Sequence, residues 1–504
     1  MFLFFCLSGG TGSGREMDWN QFRGPNGSGV LDGCLPPVEL DELGIEWESD
    51  VPLGFSSPVV CGRVIVVTGI EAGRLVTEAF SIEDGSLIWR RHAPEVKLAK
   101  SHEAHNGASS TPVIGAGSVS VYFSSYGLIQ YDLEGNEKWK VPLGVPESLY
   151  GAATSPVLHN GNVILVLDDD RDLEGSSLSR SRVVAFDQMT GIETWSTARP
   201  YNRSNWSTPM IWRHSKNEEL VVLGNGRVYG YDPETGGEKW YVDGFTRETI
   251  AVPVSEGDTL YVSASMQGGG GDDDFDGEPF WKAVLNFDVD SDGRIEASEI
   301  SDNFTIPIRP ELPPGHPGFG IPLPKEAAAR KKRQRDLFNW RDRDGNGIWT
   351  REEFLDDMRI GRGRPNLAAI RSGGRGDISK THVLWNVRKG IPEIPSPLVY
   401  RGVVYLLRDG GILTAVDAGK GDILYSERLG APGHYAASPV AADGHVYLMG
   451  RRGVISVIKA GKEFEIVSQL ETGAEVHATP ALAQGRILIR GKNKLFSISK
   501  RKNQ

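Results

Sequence analysis

The stretch DVDSDGRIEASE, residues 288–299, sets acidic side chains at alternate positions ahead of a glycine, and DRDGNGIWTREE, residues 342–353, repeats the arrangement. Such spacing suits a hard cation that takes six to eight oxygens from one turn of chain. In the first loop, positions 1, 3, 5, 9 and 12 are Asp288, Asp290, Asp292, Glu296 and Glu299, and the backbone carbonyl of Arg294 supplies position 7. In the second loop the same places fall to Asp342, Asp344, Asn346, Thr350 and Glu353, with the carbonyl of Ile348. Gly293 and Gly347 take position 6, where the sharp turn calls for a residue without Cβ. Ile295 and Trp349 take position 8, an apolar place from which one loop can pair with the other. Each loop taken alone could be an acidic surface turn. Two complete matches to D-x-[DN]-x-[DN]-G-x5-E argue for calcium, with two ions expected in a structural role.

The residues around the loops supply what would position them. PFWKAVLNF before the first loop puts Phe280, Trp281, Val284, Leu285 and Phe287 at helical spacing. A second helix, KEAAARKKRQRDLFNW, follows Pro324 and leads into the second loop, and a short helix with Phe354 and Met358 follows that. The pattern is helix–loop–helix twice, an EF-hand pair. Between the halves lies the proline-rich IPIRPELPPGHPGFGIPLP, so the loops start 54 residues apart and their pairing is not assured. The basic run Arg330 to Arg335 reads as the solvated face of a helix.

The rest of the chain is a repeat. A Ser/Thr-Pro step, apolar residues, a turn and a second apolar run recur at Ser57, Thr111, Ser155, Thr208, Ser396, Ser438 and Thr479, with Val-Pro at Val252. The starts lie 54, 44, 53, 44, 144, 42 and 41 residues apart. Most copies end on a Gly-containing turn and a strand carrying an aromatic: Trp89, Trp139, Trp195, Trp240, Trp385, Tyr425 and Phe464. Each unit therefore supplies four short strands, which is a propeller blade. The last copy lacks its terminal strand, and GIEWESD with Trp47 lies unmatched before the first. The expectation is an all-β, eight-bladed β-propeller closed by an N-terminal strand, its aromatics packed between blades. The long spacing after Val252 places a small α-helical EF-hand insertion in blade five, within a strand-to-strand connection. The expected segments are 1–17 as a truncated export signal or tail, 18–42 as a lead-in, 43–265 and 365–499 as propeller, and 266–364 as insertion.

Over residues 18–265 and 365–499 the repeat resembles the pyrroloquinoline quinone (PQQ)-binding-like propeller proteins, and DWNQFRGPNGSGV (18–30) looks like the opening of exported members. That family includes quinoprotein dehydrogenases and non-enzymatic proteins, among them an outer-membrane assembly factor. The resemblance implies a fold more than a function. The dehydrogenases carry adjacent cysteines beside the quinone, whereas Cys6, Cys34 and Cys61 stand far apart here, so PQQ is not expected. The same spacing makes neither a disulfide framework nor a zinc site. Loops ahead of the Pro-led strands should converge on one mouth of the channel. They bring His102, His105, Asn106, Tyr150, Asn205, Trp206, Glu393, His434, Tyr435, Glu475 and His477, either as a ligand funnel or as caps of a hydrated channel.

A net charge of −11 over 504 residues disfavours a nucleic-acid partner. MFLFFCLSGGTGSG is too short to span a membrane and reads as the remnant of an export signal, with weak support for lipidation at Cys6. The expectation is therefore a calcium-binding, non-catalytic scaffold in the periplasm or outside the cell, with a protein or cell-envelope polymer as partner. The rival is an oxidoreductase using the funnel.

Overall fold

The Ser/Thr-Pro steps, replaced by Val-Pro in blade five, mark the start of the innermost strand in each of eight sheets. Proline suits that place, where no ladder hydrogen bond is lost. The computed structural model describes residues 18–500 apart from 41–43, 100–105, 149, 172, 174–177, 247–248, 266–276, 308–309, 317–318, 322, 343–344 and 356–364. Four-stranded antiparallel blades, lettered a to d from the axis outward, occupy residues 59–92, 113–142, 157–198, 210–243, 254–264 with 366–387, 398–428, 440–471, and 481–499 with Ile45–Asp50. The eighth is completed by the N-terminal strand Ile45–Asp50, which pairs antiparallel with Lys494–Ser499. The eight-bladed propeller closed by an N-terminal strand is the fold that the repeat implies. Blade four gains a fifth strand, because Gly376–Asp377 runs parallel to Trp240–Tyr241. No helix among the described residues is long and apolar enough to cross a membrane.

At the inner corners the Ser and Thr of these steps form a ring of hydrogen bonds. The Ser57 N–H donates to Thr111 Oγ1 at 2.9 Å, Thr111 N–H to Ser155 Oγ at 3.0 Å, and Ser155 N–H to Thr208 Oγ1 at 3.1 Å. The series resumes with Val252 N–H to Ser396 Oγ at 2.9 Å, Ser396 to Ser438 and Ser438 to Thr479, both at 3.0 Å. Thr479 N–H closes the circle on Ser57 Oγ at 3.1 Å. One link is missing, from Thr208 to blade five, because Val252 has no hydroxyl. Ser207 Oγ bridges there to the Ala251 carbonyl at 2.8 Å.

At the outer corners the aromatics join the blades. In every blade the register of strands c and d slips at one place, so that a bulge re-aims the d-strand side chain. Small partners face the ring there: Ala79 opposite Trp89, Ala185 opposite Trp195, Ala369 opposite Trp385. Each indole then lies over the c–d turn of the next blade. Trp47, Trp89, Trp139 and Trp385 donate their N–H to the carbonyls of Ile82, Leu133, Gln188 and Ala418 at 2.8–3.2 Å. The turn residue beneath is glycine for a steric reason. At Gly135, with φ +82, a Cβ would lie 2.6 Å from the Trp89 ring.

Two blades depart from the expected aromatic pattern. In blade seven the d strand is Ile466–Glu471, and Ser468, not Phe464, holds the bulge position opposite Val457. The c–d turn closes from Lys459 to Glu465, one residue wider than from Ser81 to Ser86 in blade one. That extra residue leaves Phe464 in the turn, packed 5.6 Å from Tyr425. Ser468 instead binds the lead-in, donating to the Val38 carbonyl at 2.6 Å and accepting from Leu40 N–H at 3.2 Å. In blade four the Trp240 N–H turns to the buried Glu219 carboxylate at 2.7 Å.

The lead-in runs through the centre of the propeller. The Trp19 and Asn20 carbonyls accept from the N–H groups of Val60 and Ile114 in the innermost strands of blades one and two, and the Asn20 amide donates back to the Ile114 carbonyl. The Asn26 amide donates to Ile211 of blade four, and Gly29 and Leu31 bracket Ala441 of blade seven. The Cys34 carbonyl accepts from Gly485 N–H of blade eight.

Both seams make testable demands. Ser396→Ala strands the buried Val252 N–H and should lower stability by about 1–3 kcal/mol, whereas Val252→Thr supplies the missing link and should add about 1 kcal/mol. Opposite shifts of the urea midpoint would be measured, and shifts of one sign would contradict the ring. Gly135→Ala should cost roughly 2–4 kcal/mol, from the left-handed backbone and the clash with Trp89, read in the same unfolding curves.

Candidate metal centre

The second compact unit comprises Asp172–Leu178 and Gly268–Arg364, the latter joining strands b and c of blade five. Its two acidic loops adopt one frame. Asp288 accepts from the N–H groups of Ser291 and Gly293 at 2.7 and 2.9 Å, and Asp342 from those of Asn346 and Gly347 at 3.0 and 2.9 Å. Asp292 Oδ1 accepts from Arg294 N–H, and Asn346 Oδ1 from Ile348 N–H, both at 2.8 Å. The position-12 carboxylates also match. Glu299 accepts from Glu296 N–H at 2.8 Å and Glu353 from Thr350 N–H at 3.0 Å, each reaching back to the residue at position 9. Gly293 and Gly347 have φ +81 and +80, the left-handed region that position 6 requires.

Oxygen atoms of Asp288, Asp290 and Asp292 lie within 4.8 Å of one another. Three carboxylates held so close repel, and a divalent cation would relieve that repulsion. The donor set is all oxygen, which fits Ca²⁺ rather than zinc. In the second loop Asp342, Asn346, Ile348, Thr350 and Glu353 share one turn, while Asp344 lies outside the described residues.

The loops sit side by side. Ile295 pairs with Trp349 and Glu296 with Ile348 in a two-residue antiparallel ladder, reinforced by Ala297 N–H to the Gly347 carbonyl. Beneath this ladder the unit has its own core, in which Ile295, Phe304, Trp349 and Phe354 are fully buried. Phe338 stacks on Trp349 with centroids 4.8 Å apart, and the indole N–H donates to the Phe338 carbonyl. The proline-rich connector contributes to this core through Ile306 and Phe319, and a bridge from Pro307 to Gly320 folds it back. Such folding explains how loops so far apart in sequence meet.

The helices differ from expectation at one place. The first loop is preceded by the helix Glu278–Val284 but followed only by the 3₁₀ turn Ala297–Glu299. The backbone becomes extended at Ile300. The second loop follows the helix Ala327–Arg341, capped by the Glu326 side chain, and a helical segment resumes at Arg351. On that helix Lys331, Lys332, Arg333 and Arg335 face solvent, while Gln334 is buried and donates to the carbonyls of Ser301 and Phe304.

At the mouth of the propeller the expected funnel groups are engaged with their own and neighbouring loops. Asn205 accepts from Ser207 N–H, Trp206 donates to the Gly151 carbonyl and packs with its ring centroid 5.3 Å from that of Tyr150, and buried Tyr435 donates to the Ala431 carbonyl. His434 meets Asp409 at 2.7 Å. Lys492, His477 and Arg451 hold the Glu475 carboxyl down at about 2, while burial lowers His477. Glu393 also has a partner, and His102 and His105 lie outside the described residues. Nothing in the chain's periodicity warned of Trp19 and Arg23, which are fully buried in the lead-in. The one available signal was an arginine amid the glycines of the lead-in.

Comparison with solved structures places this geometry among known propellers. BamB from Moraxella catarrhalis superimposes with a TM-score of 0.51 at 12% identity, over 90% of this chain and 98% of that one. The quinohemoprotein alcohol dehydrogenase ADHIIG from Pseudomonas putida HK5 gives 0.53 at 12%, over 97% and 81%. The computationally designed protein Ika8 gives 0.53 at 10%, over 90% and 99%. At these identities the likeness is one of fold. No curated protein matches the chain. A family model described as outer membrane protein assembly factor BamB matches residues 47–197, 179–294 and 333–504, and the chain belongs to that family of PQQ-like repeat propellers.

Proposed function

We propose that the protein is a calcium-binding, non-catalytic propeller scaffold of the cell envelope that presents its surface to a protein or polymer partner. The observation that carries the calcium reading is the equivalence of the two loops. They share one pattern of carboxylate-to-amide bonds and meet through a ladder over a common core. Asp288, Asp290, Asp292, Glu296 and Glu299, with the Arg294 carbonyl, would hold one ion. Asp342, Asp344, Asn346, Thr350 and Glu353, with the Ile348 carbonyl, would hold the other. Calcium would supply the charge that lets each loop close, so its work there is structural.

The scaffold reading is supported by the mouth, where Asn205, Trp206, Tyr435 and Glu475 are engaged in local bonds. It is supported also by the lead-in that crosses the channel. Family membership adds an assembly factor as precedent for a propeller that works by contact.

Calorimetric titration of the full chain with Ca²⁺ should show two ions bound, with a change in the fluorescence of buried Trp281 and Trp349. Glu299→Gln and Glu353→Gln should each weaken one site by about 10- to 100-fold, as expected when a charged ligand is lost. No heat from wild-type protein would end the calcium reading. Separately, protein supplied with PQQ and Ca²⁺ should reduce no artificial dye in the presence of alcohols or sugars. PQQ-dependent turnover would replace the scaffold with an oxidoreductase.

A further inference from the structure

Many exposed cations of the propeller unit are answered by acids. Arg63, Arg90, Lys140, Arg213, Lys459 and Lys462 each stand in an ion pair with a nearby carboxylate. The helix Ala327–Arg341 of the second unit differs. Lys331, Lys332, Arg333 and Arg335 fall within five consecutive residues, and all four are exposed. None of them has an ion-pair or hydrogen-bond partner among the described residues. The acids of the helix do not neutralise them. The Glu326 carboxylate is turned to the N–H groups of Ala328 and Ala329, at 2.9 and 2.6 Å, and Asp336 is half-buried.

The buried side of the helix fixes which way this charge points. Leu337 and Phe338 belong to the core of the unit, and buried Gln334 donates to the carbonyls of Ser301 and Phe304, both at 2.9 Å. Successive residues lie about 100° apart around a helix, so Lys331, Lys332 and Arg335 share an arc of about 100° that excludes the buried residues. Ala328 and Asn339 are the other members of that arc, and both are exposed. With only short side chains between the cations, the helix can come close to a flat surface. Arg333 lies off the arc and adds charge beside it.

We propose that the face formed by Lys331, Lys332 and Arg335 docks on an anionic phospholipid surface, whose phosphates take the place of the acids these cations lack. Attraction to such a surface needs only clustered charge held near it. A protein partner would call for an aromatic or large apolar anchor, and the arc has none. Nucleic acid would call for a basic surface that continues past one helix, in a chain whose net charge is −11. Nothing on the arc can insert among acyl chains, so the contact is peripheral and is reversed by salt. The face requires neither an ion in the acidic loops nor a ligand at the mouth of the propeller.

Co-sedimentation of the full chain with equimolar phosphatidylglycerol–phosphatidylcholine vesicles is the test. At roughly 0.1 M salt the protein should pellet with these vesicles and not with phosphatidylcholine alone, and about 0.5 M salt should release it. The triple variant Lys331→Gln, Lys332→Gln, Arg335→Gln keeps good helix formers at exposed positions, so its circular dichroism and unfolding midpoint should match those of wild type. It should bind the anionic vesicles about 100-fold more weakly, at about 5-fold for each cation removed. No pelleting of wild-type protein, equal pelleting with the zwitterionic vesicles, or equal binding by the triple variant would overturn the proposal. Capture of duplex DNA where the anionic vesicles are not bound would overturn it in favour of nucleic acid.

Discussion

Eight sheets set around an axis must be held at their inner corners, where seven of the eight innermost strands are only three residues long. Here the bond is a main-chain N–H given to the hydroxyl of the next blade. The donor and the acceptor belong to the same residue type at the same place, so one short motif both gives and receives. Repetition of that motif turns a pairwise contact into a circle. The following proline keeps the motif at the strand's start and removes a donor that would otherwise need an acceptor there. With Val252 the circle has one open link, in the same blade whose connection carries the unit with the two acidic loops.

The outer seam is built from different chemistry. At Trp47, Trp89, Trp139 and Trp385 a bulge turns the d-strand aromatic toward its neighbour, a glycine turn receives the ring, and a carbonyl accepts the indole N–H. Hydrophobic clusters fill the space between the seams, and they span two adjacent blades or, in the largest, blades seven, eight and one together. A blade removed from its neighbours would thus lose both seams and its core, as in repeat folds whose units cannot bury their own faces.

Much of this was legible in the chain. The Ser/Thr-Pro and Trp signatures are local and periodic, so they revealed the blade number and the closing strand. The paired acidic loops were legible for the same reason, since each carries its backbone geometry in twelve contiguous residues. Features that depend on one residue more or less were not. The wider turn before Ile466 moved Phe464 out of its strand, and the chain after Glu299 left the helix after a single turn. The proline-rich connector read as a spacer, although Ile306 and Phe319 are part of a core. Arg23 was invisible because its burial comes from blades distant in sequence, such as the one that holds Pro397, and no periodicity in the lead-in encodes it.

The bond from Thr479 to Ser57 and the pairing of Trp47 with Ser497 join residues more than four hundred positions apart. Neither can form until the last blade has been made, and the loop to be closed is nearly the whole protein. Ring closure is therefore an event of late synthesis. Until then the lead-in has no complete channel to occupy, and the first blade presents an unpaired face to whatever is nearby. Folding of such a chain is governed by how long that face stays covered, and a cell must either delay folding until the full length is available or shield the opening blades meanwhile.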